Sequence, residues 1–317
     1  MDATSPHKPL ISIVCPIFNE GHSIEPLQRA LVALFAKMPR YDFEVLCIDD
    51  GSTDDSLARL IAVQARDARF RIVELSRNFG KEAALSAGLD LSKGDAVIPM
   101  DADLQHPPSV IPELIAKWQE GYDVVLAKRI NRGAESFLKR ITASGFYRLH
   151  NRLSSVQIPE NVGDFRLINR AVVNALKQLP EHQRFMKGLF AWVGFKTATI
   201  DYVCEARYGG SSKFSKWKLW NFALEGITGF STVPLKIWTY LGLFGASCSF
   251  FYGSFIVLRT LIIGKDIPGF ASLLVGILFF GSLQLIGIGI QGEYIGRIYM
   301  ESKRRPTYLV REIHDSK

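Results

Sequence analysis

The stretch DAVIPMDADLQHPPSVIPELIAKWQEG, Asp95 to Gly121, decides the fold. An apolar run (Ala96, Val97, Ile98) leads into two aspartates one residue apart, Asp101 and Asp103. A segment follows that opens on proline and closes on glycine. Proline suits the first turn of a helix, where its missing N–H is no loss, and glycine suits the residue just past the last turn. The stretch reads as buried strand, acidic turn, helix.

The same pattern repeats outward. LISIVCPIFNE is a strand with a polar turn, and Ser23 is expected to cap a helix running to about Met38. YDFEVLCIDDGSTDDS is a second strand, with Asp54, Asp55 or Ser56 capping a helix to about Ala65. RFRIVEL is a third strand, KEAALSAGLDL a helix stopped at Gly94, and YDVVLA a fifth strand. Five alternations predict an α/β protein: a mostly parallel sheet with helices on both faces. Ligands in such sheets bind outside the carboxyl ends of the strands. Asn19 and Glu20, Asp49 to Ser52, and Asp101 to Asp103 all fall at those ends, so three strands aim acidic groups at one rim. No glycine-rich loop follows the first strand, which argues against a dinucleotide or P-loop site.

Asp101 and Asp103 offer hard oxygen ligands. These suit Mg²⁺ or Mn²⁺, which bridge carboxylates to substrate phosphates, and Gln105 is a possible third ligand. A pair so spaced also occurs as a helix cap beside a solvated acid. Its place after the fourth strand, beside two further acidic clusters, favours the metal.

The last third of the chain is different. Ile237–Leu258 is 22 residues without formal charge, and Ile267–Gly292 is 26. About 20 helical residues cross a bilayer core, so two membrane spans are expected, with glycines suited to close helix packing and a homo-oligomer. Lys213, Lys216, Lys218 and Lys236 precede the first span, and Arg297, Lys303, Arg304, Arg305 and Arg311 follow the second. The positive-inside rule then places both termini in the cytoplasm. In SKWKLWNFALEGITGF, Trp217, Trp220, Leu224 and Ile227 recur at helical spacing beside lysines, as in an interfacial helix. The expected organisation is a cytoplasmic domain over 1–212, a juxtamembrane helix over 213–233, two spans over 234–296 and a cytoplasmic tail over 297–317. Met1 to Pro9 is short and polar, unlike a secretory leader. The net charge of +7 suits an anionic leaflet and phosphorylated ligands, and no nucleic-acid module is recognisable. Cys15, Cys47, Cys204 and Cys248 lack CxxC spacing and are expected to be reduced thiols.

The blocks SIVCPIFNE, CIDDGSTDDS, SRNFGKEAALSAG, IPMDADLQHPP and GDFRLINR, taken in order, resemble family 2 glycosyltransferases of the GT-A (Rossmann-like) fold. They are most similar to the polyprenyl-phosphate glycosyltransferases, a group that includes dolichyl-phosphate mannose synthase and the bacterial bactoprenol glucosyltransferases of O-antigen (lipopolysaccharide) modification. The likeness runs from about Leu10 through both apolar segments to RPTYLV. It implies a nucleotide-sugar pocket at Pro16, Phe18, Glu20, Ile48, Asp50 and Ala102. Phe18 often corresponds to a tyrosine there, and Asp50 would accept from a base N–H. It implies a metal and diphosphate site at Asp101, Asp103 and Gln105, with phosphate contacts from Arg129, Arg207 and Lys213. Arg132 and Arg140 would hold the acceptor phosphate, and Asp164 in GDFRL is the expected acid at the reaction centre beside Asp103.

The implied reaction moves a hexose, glucose from UDP-glucose being favoured, onto undecaprenyl phosphate at the bacterial inner membrane. In-line attack would invert the anomeric centre and leave a β-linked product. GDP-mannose, UDP-N-acetylglucosamine and a UDP-modified arabinose are the other donors considered. A processive polysaccharide synthase would share the sheet, but EHQRFMKG lacks the tryptophan of that group's QxxRW motif. A membrane-anchored sugar-nucleotide sensor would not need Asp101 and Asp103.

Overall fold

The computed structural model of the chain describes residues 8–130, 159, 162–179, 181, 184–203, 231–263 and 269–315. Arg132, Arg140, Cys204, Arg207, Lys213 and the tryptophans of the expected interfacial helix lie outside the described residues.

Five strands and four helices alternate as predicted. They are β1 (Leu10–Ile17), α1 (Gly21–Ala36), β2 (Asp42–Asp49), α2 (Ser56–Gln64), β3 (Phe70–Leu75), α3 (Lys81–Leu91), β4 (Ala96–Pro99), α4 (Ile111–Gln119) and β5 (Val124–Arg129). Then come β6 (Val162–Asn169), α5 (Arg170–Lys177), α6 (Met186–Trp192), β7 (Thr197–Tyr202), α7 (Val233–Ile263), α8 (Phe270–Ser302) and β8 (Val310–His314). The sheet has the order β7-β5-β6-β4-β1-β2-β3-β8. β1 pairs in parallel with both β2 and β4, so the direction of winding reverses beside it. β6 and β8 are the antiparallel members, against β4 and β5 and against β3 respectively.

Side chains alternate between the two faces of each strand. Ile11, Ile13, Val45, Cys47 and Ile72 pack under α1, α2 and α4. Val14, Leu46, Ile48, Val73 and Val97 pack under α3, α5 and α6. The layers are tight at Gly88, where a β-carbon would collide with Val14 Cγ1. Cys15 and Cys47 are free and buried, and burial pushes the Cys47 thiol up to about 12, leaving it protonated and inert.

Local details depart from expectation. Helix α1 begins at Gly21, so Ser23 lies inside it, fully buried, with its hydroxyl donating to Glu20 Oε2 at 3.4 Å instead of capping. A strand beyond the five expected, β6, is inserted between the fourth and the fifth. Val310 to His314, within the expected tail, complete the sheet as β8.

α7 and α8 are 31 and 33 residues long, touching where Trp238 lies against Gly287. Among the described residues one stretch, Gly276–Ser302, is long and apolar enough to cross a membrane. On both helices large apolar side chains face outward: Phe244 is 70% exposed and Leu285 70%.

Candidate active site

The rim is built at the reversal beside β1. Carboxyl ends of neighbouring strands diverge there into loops on opposite faces, leaving a crevice. The end of β1 supplies Phe18, Asn19 and Glu20. Asn19 adopts φ of +53°, and its Oδ1 accepts from Thr53 N at 2.8 Å, tying the first acidic turn to the second. The end of β2 supplies Asp49 and Asp50, both nearly inaccessible.

Asp164 reaches this rim because β6 is antiparallel, which puts the start of the strand where β4 ends. β4 and β6 pair Ala96 with Asn169 and Val97 with Ile168. Extending that register past the end of β4 sets Asp101 opposite Asp164. Lys81, the first residue of α3, closes the group: its Nζ lies 2.6 Å from Asp101 Oδ1 and 3.0 Å from Asp164 Oδ2. Burial pushes the Asp101 carboxyl up, but the Lys81 ammonium and His106 outweigh it and hold Asp101 well below the usual carboxylate range. Asp164 is likewise lowered, Lys81 overcoming burial. Asp164 Oδ1 is buried and makes no hydrogen bond among the described residues.

The other oxygen of Asp101 faces His106, whose Nε2 is 3.6 Å from Oδ2. His106 stacks on Phe165 at 5.0 Å, and its Nδ1 is 2.7 Å from the Tyr202 hydroxyl. Behind Asp164, Arg166 lies over the Phe190 ring at 4.2 Å and donates to Gly163 O at 2.6 Å. Glu82 is pushed up to about 8, chiefly by burial and then by the charge of Asp164. Lys81 bonds Asp164 directly, so Glu82 is the carboxyl that takes the proton.

That protonation carries a pH signature. The folded pKa of Glu82 lies above its unfolded value, so the native state holds more protons than the unfolded chain between about 4.5 and about 8. Stability therefore falls as pH rises through that window. In Glu82→Gln the fall should flatten, as read from melting temperatures in detergent between about pH 5 and about pH 9. Parallel curves for the two proteins would reject the assignment.

The other expected site residues are placed as follows. Asp103 is buried, and its Oδ1 accepts from Gln105 N at 3.1 Å. Ala102 between the aspartates is buried, Leu104 after them has φ of +58°, and Gln105 is half-buried. Phe18 is 36% exposed, and Pro16, Glu20 and Arg129 are half-buried at strand ends. Asp50 also holds backbone. Its oxygens accept from Phe79 N at 2.7 Å and Gly80 N at 2.9 Å, so the carboxylate clamps the loop before α3. Burial nonetheless raises its pKa. Ile48 is completely buried under α3 and presents no side-chain surface to a ligand, because it shares a strand face with Leu46.

Lys81, His106, Tyr202, Glu82 and Arg166 are not among the residues expected at the site. Lys81 does carry a signal: a cation at the first position of a helix opposes the macrodipole, so something outside the helix must hold it there.

Fold and site together define an open α/β protein with a charged crevice at its reversal point. Residues 12–177 match glycosyl transferase family 2. The chain is 51% identical over 303 residues to the uncharacterized glycosyltransferase sll0501 of Synechocystis, covering 96% of this chain and 95% of that one. It is 54% identical over 301 residues to the bactoprenol glucosyl transferase of Shigella phage SfV, covering 95% and 98%. It is 52% identical over 303 residues to the prophage bactoprenol glucosyl transferase homolog of Escherichia coli K12, covering 96% and 99%. The chain belongs to glycosyl transferase family 2 and is a glycosyltransferase, as the motif blocks implied.

Proposed function

We propose that the chain transfers glucose from UDP-glucose to undecaprenyl phosphate at the inner face of the bacterial cytoplasmic membrane, with inversion. The reading rests chiefly on the extent of the likeness to bactoprenol glucosyl transferases, which spans the sheet, the rim and both long helices.

Asp101, Asp103 and Gln105 would hold Mg²⁺ or Mn²⁺, with the buried Asp164 Oδ1 close by. The donors suit such an ion: they are hard oxygens, and the rim already gathers a cation, Lys81, between two carboxylates. A divalent cation held there would neutralise charge building on the departing diphosphate. Phe18, 36% exposed, would offer its ring to the base. Arg129, with Arg207 and Lys213, adds fixed positive charge around the diphosphate. Arg132 and Arg140 orient the acceptor phosphate. Its second pKa is about 6, as for phosphate monoesters, so it is already an anion at neutral pH and needs no strong base. An acceptor oxygen attacks the anomeric carbon, and the bond to the diphosphate breaks, its electron pair leaving with UDP.

The outward-facing apolar side chains of α7 and α8 support two spans holding the rim near the inner leaflet, with the segment 213–233 lying along the interface and both termini in the cytoplasm. The polyprenyl chain stays in the bilayer, since each buried CH₂ is worth about 0.8 kcal/mol. The test is radiolabelled UDP-glucose with a short-chain polyprenyl phosphate and the full chain in detergent. A β-linked lipid monosaccharide is expected. Polymer, or no lipid product across a panel of donors, would overturn the reading.

A further inference from the structure

We propose that Lys81 is the resident counter-cation of the rim: it holds Asp101 between turnovers and yields it when a nucleotide diphosphate arrives, so that divalent cation and donor enter together. This rests on the preceding reading, that the rim takes a sugar nucleotide with a metal ion.

Three observations carry it. The Lys81 ammonium lies 2.6 Å from Asp101 Oδ1 and bridges to Asp164 Oδ2 at 3.0 Å, on the oxygen that a hard cation would approach. The other Asp101 oxygen faces His106, so a metal ion entering the free enzyme must displace one neighbour or sit beside a like charge. Second, the backbone before Lys81 is pinned, while the side chain is held only at its ammonium. Asp50 grips the N–H groups of Phe79 and Gly80, whereas the Lys81 side chain is 47% exposed. The ammonium can therefore swing from a fixed base. Third, a lysine at the first position of α3 runs against the helix dipole, so the two carboxylates are what hold it in place.

The charge count then sets the order of binding. With Lys81 in place, the charge of Asp101 and Asp164 is halved, from −2 to −1, and they attract a divalent ion less strongly. A diphosphate brings further negative charge, which accommodates both the metal and the ammonium, and Lys81 moves from Asp101 toward the phosphate oxygens. Lys81 is thus a positioning residue that couples metal affinity to donor occupancy.

The test is Mn²⁺ binding to the full-length chain in detergent, followed by the electron paramagnetic resonance of free Mn²⁺, with and without saturating UDP. Wild type should bind Mn²⁺ at least about 10-fold more tightly when UDP is present, a difference of about 1.4 kcal/mol. Lys81→Gln, neutral and one bond shorter, should bind Mn²⁺ about 10-fold more tightly than wild type without UDP and so lose most of that coupling. Lys81→Arg should keep it. Equal wild-type affinity with and without UDP, or weaker Mn²⁺ binding by Lys81→Gln, overturns the proposal while leaving the metal site standing. A wild type that binds no Mn²⁺ even with UDP overturns the underlying reading as well. The wild-type pair of measurements can overturn the proposal even if Lys81→Gln does not fold.

Discussion

Asp103→Ala should lower turnover by about 10³-fold, the scale expected when stabilisation of a developing leaving-group charge is removed. The substitution takes one of two neighbouring carboxylates from the rim, and Asp101, itself proposed as a ligand, cannot fill both positions. A structural effect is separable. Asp103 is buried and its Oδ1 accepts from Gln105 N, so alanine also loosens the turn that follows β4. Asp103→Asn keeps an acceptor oxygen for that bond and removes only the charge. If the carboxylate acts through its charge, asparagine is nearly as inactive as alanine while its melting temperature stays close to wild type. If the loop bond is what matters, asparagine recovers most of the activity. Near-normal turnover by Asp103→Ala in buffer containing Mn²⁺ would sink the assigned role outright.

What the sequence discloses about this site follows from where each residue's partners lie. β1 to β5 and their helices are legible because each strand is a short apolar run ended by local turn chemistry. Asp101 and Asp103 are legible because the fold rule for parallel sheets carries any acidic pair after a strand to the rim. Asp164 is expected at the reaction centre by resemblance alone. Its physical route there is the antiparallel insertion of β6 between β4 and β5, which depends on pairing between segments far apart in the chain and leaves no local mark. His106 and Tyr202 are 96 positions apart and meet only because β7 lies beside β5. Ile48 shows the opposite error. Position in a motif suggests ligand contact, while the two-residue period of β2 turns its side chain into the core. Absence of charge suggests two spans, and among the described residues one stretch, Gly276–Ser302 of α8, is long and apolar enough to cross a membrane.

Deleting residues 307–317 should lower the melting temperature of the full chain by roughly 10 °C, corresponding to about 3–5 kcal/mol for a domain of this size. The segment looks dispensable in sequence, being a charged tail, but it forms β8 along the open edge of β3. Val310 pairs with Leu75, Glu312 with Glu74, Ile313 with Val73 and His314 with Ile72. Leu309 O accepts from Ser76 N at 2.9 Å, and Tyr308 donates to Asp90 Oδ2 at 2.9 Å. Gln64 Nε2 donates to the carbonyl of His314. Each such bond contributes about 1 kcal/mol net. The ladder therefore outweighs the ion pair of Arg71 with the largely exposed Asp315, since exposed pairs contribute little. Arg311 sits 2.9 Å from Glu74, whose side chain is 11% exposed in the intact sheet, but Arg311 itself is 68% exposed, so this pair also contributes little. Deletion would also bare β3 as an unpaired edge, inviting association between copies. Hydrogen exchange should show the amides of β3 losing protection first, with the Asp101 rim on the far side of β1 and β2 less affected. A deletion variant that melts with the wild type, with β3 still protected, would mean that β8 contributes nothing to holding the sheet. Only seven residues separate Ser302 at the end of α8 from Val310, a reach of at most about 28 Å. The same deletion therefore cuts a short tether between the long C-terminal helix and the catalytic sheet. Transfer to a lipid acceptor in vesicles should then fall further than hydrolysis of the sugar nucleotide by water, because only the lipid reaction needs the rim held at the membrane.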